Sequence, residues 1–137
     1  MKTVLIITGI AVALIAVWAF RRFGNGSSGT SAIPDDLDGK VLKQLVAAGS
    51  DLSKPHNVEF FLYFPDEAHA SDACKQLTAE GYTGRVERAA KEPEWLCFLT
   101  QQIVPSHATM VNIRSRMEAL ARAGNGKYDG WGTEVSR

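Results

Sequence analysis

The chain has 137 residues, with 15 basic and 15 acidic side chains, two cysteines and three histidines. Three of the basic residues, Lys2, Arg21 and Arg22, flank one apolar run near the N-terminus, so the rest of the chain is mildly acidic. That argues against a protein that holds RNA or DNA through its phosphates, and two cysteines are too few for a disulfide scaffold.

In chain order the first feature is Val4–Phe20, VLIITGIAVALIAVWAF, a run without a charge. About 17 residues make a helix of roughly 25 Å, at the short end of what crosses a hydrocarbon core of about 30 Å. The long stems of Lys2, Arg21 and Arg22 can extend it, and Trp18 and Phe20 lie where an interfacial aromatic belt belongs. We read residues 1–23 as a transmembrane anchor that meets the lipid bilayer through Val4–Phe20. The competing reading is a cleaved secretory signal ending near Val17-Trp18-Ala19. Against it, the apolar run exceeds the roughly 7–15 residues of a signal core, and two arginines would follow the cut. Arg21 and Arg22 after the span point to a single-pass protein of the cell inner membrane with its domain in the cytoplasm. Residues 24–34, GNGSSGTSAIP, form a flexible Gly/Ser linker. Such a coil of about 11 residues spans roughly 18 Å.

Residues 35–137 then read as one small domain. Asp35 or Asp36 caps a leading helix, Leu37, Val41, Leu42, Leu45 and Val46 recur at helical spacing, and Gly49 stops it. A turn over residues 51–57 contains Pro55. Val58, Phe60, Leu62 and Phe64 alternate with Glu59, Phe61 and Tyr63, which is strand periodicity, and Pro65 ends the run. Asp66 caps a second helix with the stripe Ala70, Ala73, Cys74 and Leu77, closed by Gly81. Residues 82–89 read as an exposed strand and residues 94–104 as a strand apolar enough to be central. Pro105 and Ser106 announce a third helix with Met110, Ile113, Met117, Leu120 and Ala121 on one face. Gly124-Asn125-Gly126 breaks the chain before a last strand over residues 128–135.

After the leading helix the order is β-α-β-β-α-β. The fold class predicted is α+β, a ferredoxin-like sandwich of four antiparallel strands and two helices on one face, with an extra leading helix and one preceding transmembrane helix. Right-handed connections place both crossover helices on the same face. The leading helix is expected against an edge or an end of the sheet.

Catalytic constellations are scarce. His56, His69 and His107 have no partner at metal-ligand spacing, Cys74 and Cys97 form no CxxC, and neither a GxSxG elbow nor a phosphate loop is present. No cofactor, metal or catalytic residue is expected. Cys74 and Cys97 read as buried free thiols, which would bridge only in an oxidising compartment. Asp35, Asp36 and Asp38 crowd a helix start, where the macrodipole favours acids. Phe61 and Tyr63 resemble the aromatic pair with which some sheet modules stack RNA bases, but the basic, Gly-rich setting is missing, so direct nucleic-acid binding is not expected. The segment that stands out is Lys127-Tyr128-Asp129-Gly130-Trp131-Gly132-Thr133. Two readings compete for it. Trp131 fills the core beneath the helices while Asp129 ties the turn, or Tyr128, Asp129 and Trp131 form an exposed partner-binding patch.

YDGWGT at residues 128–133 resembles the C-terminal signature of the regulator of ribonuclease E activity B family. The likeness extends back through the helix over residues 111–123 and the Trp-Leu-Cys strand over residues 94–105. It continues through HNVEFFLYFP at residues 56–65 to Gly49-Ser50-Asp51 after the leading helix. The resemblance implies a ferredoxin-like fold and a non-enzymatic role, in which the domain binds a ribonuclease E-type endoribonuclease and modulates it. The function expected is therefore a membrane-tethered, protein-binding regulator. The alternative is a small enzyme using the sheet face, which would need a pocket of convergent titratable groups.

Overall fold

A computed structural model describes residues 33–91 and 93–137 of the chain. The segment read as an anchor, Val4–Phe20, lies outside the described residues. Among the described residues no helix is long and apolar enough to cross a membrane.

Seven elements follow one another: α1 (Leu37–Ala47), β1 (His56–Phe64), α2 (Glu67–Ala79), β2 (Thr83–Arg88), β3 (Trp95–Ile103), α3 (His107–Ala123) and β4 (Lys127–Thr133). Side chains set the helix starts. Asp36, Asp66 and Ser106 each accept a hydrogen bond from the backbone N–H three residues on, at Gly39, His69 and Thr109. Each bond satisfies one of the donors that a helix N-terminus leaves unpaired. At the far end of α2, Gly81 takes φ +105°, the left-handed position at which a side chain would be strained.

The strands form one sheet in the order β2-β3-β1-β4, with every neighbour antiparallel. β1 is central and pairs with β3 from His56↔Ile103 to Phe64↔Trp95. The described chain is thus α+β, with a four-stranded antiparallel sheet and three helices. Alternation decides the faces. Val58, Phe60, Leu62 and Phe64 point to one side and join Cys97, Leu99 and Trp131 in a single core. α2 supplies Ala70, Ala73 and Leu77 to that core, and α3 supplies Met110, Met117 and Leu120. Both crossover helices therefore cover the same face of the sheet, as right-handed connections require.

α1 completes this layer by packing on α3 and inserting Val41, Leu42 and Leu45 into the core. Its apolar stripe differs from the expected one at the start of the helix. Leu37 is 65% exposed, whereas Asp38 is only 2% exposed. Asp38 shares the inward stripe at i, i+3, i+4 and i+7 with Val41, Leu42 and Leu45, and Leu37 is rotated out of it. β1 also begins earlier than the alternation suggested. His56, expected in a turn, is a strand residue 2% exposed. The last strand spans residues 127–133 instead of 128–135, because the chain beyond it is held by Ser50 and Asp51.

Candidate functional site

β4 carries the segment that the sequence singled out, and its geometry turns on one irregularity. Tyr128 and Trp131 are three residues apart, so a regular strand would send them to opposite faces. The ladder with β1 shifts register between Phe61 and Leu62, which leaves Asp129 as an extra residue and pairs Tyr128 with Leu62 and Trp131 with Phe60. Both rings consequently face the helices. Gly130 absorbs the kink with φ +110°. A side-chain carbon built there would meet nothing within 4 Å, so conformational strain alone opposes substitution. Gly130→Ala is expected to destabilise the fold by roughly 1–2 kcal/mol through its left-handed backbone, as read from a denaturant midpoint.

Trp131 is 3% exposed, and its indole Nε1–H donates to Asp38 Oδ1 at 3.0 Å. Asp38 also accepts two bonds from the Arg114 fork, Nε to Oδ2 at 2.8 Å and Nη2 to Oδ1 at 2.8 Å. Such bidentate, charge-assisted pairs fix orientation as well as contributing energy. The Asp38 carboxylate holds the Arg114 guanidinium firmly in its charged form, above its ordinary pKa. Glu118 adds a weaker contact to Arg114 at 3.4 Å. The guanidinium also lies 5.4 Å from the centre of the Tyr128 ring. Burial pushes the Tyr128 phenol well above its usual range, and its hydroxyl has no hydrogen-bond partner among the described residues. One buried carboxylate thus fastens α1, α3 and β4 together.

The three residues expected at a partner surface therefore have different fates. The Trp131 indole is covered, Tyr128 is half-buried, and Asp129 is exposed. Asp129 does not tie the turn: its side chain makes no hydrogen bond among the described residues, and its place is the bulge. Asp36 is the cap that was expected, its carboxyl held below the usual range by the Gly39 N–H and then by His107. Asp38 is the residue that the reading of a crowded helix start missed. The available signal was an acid in phase with an apolar stripe, which demands a buried partner.

The other titratable groups serve local structure. His69 donates to Asp66 and His107 Nε2 donates to Asp36, each at 2.7 Å. His56 Nδ1–H donates to the Lys54 carbonyl at 2.8 Å, which leaves Nε2 to accept from the Ser50 hydroxyl at 2.6 Å. Ser50 Oγ in turn accepts from the Ser136 N–H at 3.0 Å, so this serine–histidine pair moors the C-terminal segment to the start of β1. A polar hollow of about 430 Å³ lies beside it, lined by His56, Asn57, Gln102 and residues 134–137. Glu134 and Arg137 also line the hollow, and neither hydrogen-bonds to His56 among the described residues. Cys74 and Cys97 are buried free thiols, and the neighbouring Cys74 together with burial pushes the Cys97 thiol far above its ordinary range. Among the described residues no group of three or more His, Cys, Asp or Glu could hold a metal ion.

What remains is the sheet face turned away from the helices. Pairing places Phe61 opposite Phe98, Tyr63 opposite Leu96, and Glu59 opposite Thr100 on this side. Phe61 and Phe98 meet edge to face at 5.4 Å. Arg85 stacks on Phe98 at 4.3 Å and pairs with Glu87 at 3.0 Å. Lys127 reaches Glu94 at 3.6 Å and lies 5.8 Å from the Tyr63 ring. Phe61 is 5% exposed although it is not part of the helix-facing core.

Among the described residues the domain is α+β, with three helices on one face of the sheet and none on the other. The family model described as regulator of ribonuclease activity B matches residues 35–133, and the chain belongs to that family. No curated protein matches the chain.

Proposed function

We propose that this protein is a membrane-tethered regulator that binds a ribonuclease E-type endoribonuclease and changes its cleavage rate, without hydrolysing RNA itself. The observation that carries this reading is the family match over residues 35–133, the family being described by its effect on ribonuclease activity. The mildly acidic domain supports it, since an acidic surface suits a partner with basic, RNA-binding segments. Asp129 is the member of the β4 segment that touches the partner. Tyr128 and Trp131 act on binding through the shape they give to β4.

The anchor at Val4–Phe20 and the linker over residues 24–34 place the domain, residues 35–137, at the inner face of the cell inner membrane. Tethering raises the effective concentration for any partner held at the same surface. The full chain is expected to sediment with membranes, resist carbonate extraction and retain its N-terminus. A mature protein beginning near Phe20 would overturn the anchor. Binding is tested by size-exclusion chromatography of the detergent-solubilised chain with the purified nuclease. A shared peak that separates as salt is raised is the expected result, and independent elution at low salt would contradict it.

A further inference from the structure

We propose that the sheet face centred on Tyr63 and Phe98, and edged by Glu59, Asp129 and Glu134, is the docking surface for a cationic protein segment in which arginines alternate with apolar side chains. The assignment rests on reading this chain as a protein-binding regulator, and it names the surface and the chemistry of what binds there.

Charge selects the occupant. Among the described residues, the two cations that sheet pairing places on this face are already engaged, Arg85 with Glu87 and Lys127 with Glu94. Glu59 stands on the face opposite Gly132, and Glu134 follows two residues later, close enough to repel it. Asp129 is near enough to Tyr63 to act on its phenol. None of these three carboxylates pairs with a cation among the described residues, so the surplus charge of the face is negative. A nucleic acid would bring further negative charge, although the aromatic residues of β1 and β3 offer stacking surfaces. An arginine-bearing segment brings the missing sign.

Shape and solvation agree with charge. Partial burial and then the Glu134 charge raise the Glu59 carboxyl above its ordinary pKa against a smaller opposing pull from Arg85, so a closer cation relieves an unfavourable arrangement. The Phe98 ring already accepts a guanidinium from Arg85 at 4.3 Å, which demonstrates on this same surface the contact an incoming arginine would make.

The test uses the full chain in detergent, a short fluorescent peptide of alternating arginine and leucine, and a single-stranded RNA oligonucleotide as the competing arm. Peptide binding that weakens with salt is expected, with no comparable binding of the RNA. Glu59→Lys should weaken peptide binding about tenfold or more, and Asp129→Lys, at an exposed position that leaves the sheet centre intact, severalfold. Asp72→Lys makes the same charge change at an exposed site on α2, across the sheet from this face, and should stay within about twofold. Equal weakening by Glu59→Lys and Asp72→Lys, absence of peptide binding, or binding of RNA in its place would overturn the assignment. If the wild-type chain alters nuclease cleavage and Glu59→Lys with Asp129→Lys alters it equally, this surface is wrong and the regulator reading stands. If the wild-type chain leaves cleavage unchanged, that reading fails, and the peptide measurement judges the surface on its own.

Discussion

Replacing Arg114 with alanine is expected to lower the unfolding free energy by about 3–5 kcal/mol, the usual consequence of removing one partner from a buried ion pair. Asp38 is 2% exposed and takes both of its charge-assisted bonds from Arg114. Without the guanidinium its carboxylate keeps only the Trp131 N–H as a donor. The penalty is the desolvation of a charge left without its counterion, more than the loss of attraction itself. Asp38→Ala should cost less, because the Arg114 side chain is 21% exposed and retains Glu118 and water as partners. Exchanging both residues for leucine should recover much of the loss, since a well-packed apolar pair often equals a buried ion pair in stability. Urea midpoints of the three variants at unchanged slope would establish that order.

Trp131→Ala should be comparably damaging, at about 3–5 kcal/mol for truncating a buried tryptophan. The indole sits in the same core as Phe60, Leu62 and Leu42, and it provides the third bond to Asp38. Trp131→Phe keeps most of the apolar volume and removes the N–H, so a loss of about 1–2 kcal/mol is expected from the hydrogen bond alone. Because Trp131 and Arg114 share Asp38, their effects should fall short of additivity. Thermal melts of the two single variants and the double variant measure this directly. A melting temperature unmoved by Trp131→Ala would mean that the ring does not bear on the fold.

The parts of this fold that were legible in the sequence are those specified by neighbours along the chain. Asp66 and Ser106 announce their helices because a cap needs only the N–H three residues on. The stripe of Ala70, Ala73, Cys74 and Leu77 shows its inward face through helical period alone. The alternation of Val58, Phe60, Leu62 and Phe64 likewise separates the two faces of β1. The partners of Asp38 were illegible for the opposite reason. Acids in a first helical turn are ordinary, and the partners that explain this one lie 76 and 93 residues away.

The candidate site divides along the same line. YDGWGT was conspicuous, but the placement of Tyr128 and Trp131 on one face depends on a bulge that strict alternation forbids. Asp-Gly was the only local hint of it. Phe61 posed a different difficulty. Its alternation with Phe60 and Leu62 turned it away from the helices, yet it is buried and meets Phe98 on a neighbouring strand edge to face. A residue can thus be buried on the face that the helices leave open. Pairing in the sheet reveals it, and periodicity cannot.

The most direct test of the central claim is the initial rate at which a purified ribonuclease E-type enzyme cleaves a labelled RNA, measured as the full chain is added. The account predicts a saturable change in that rate, diminished by salt, with no cleavage by the chain alone. A rate unchanged at large excess of the chain would contradict it.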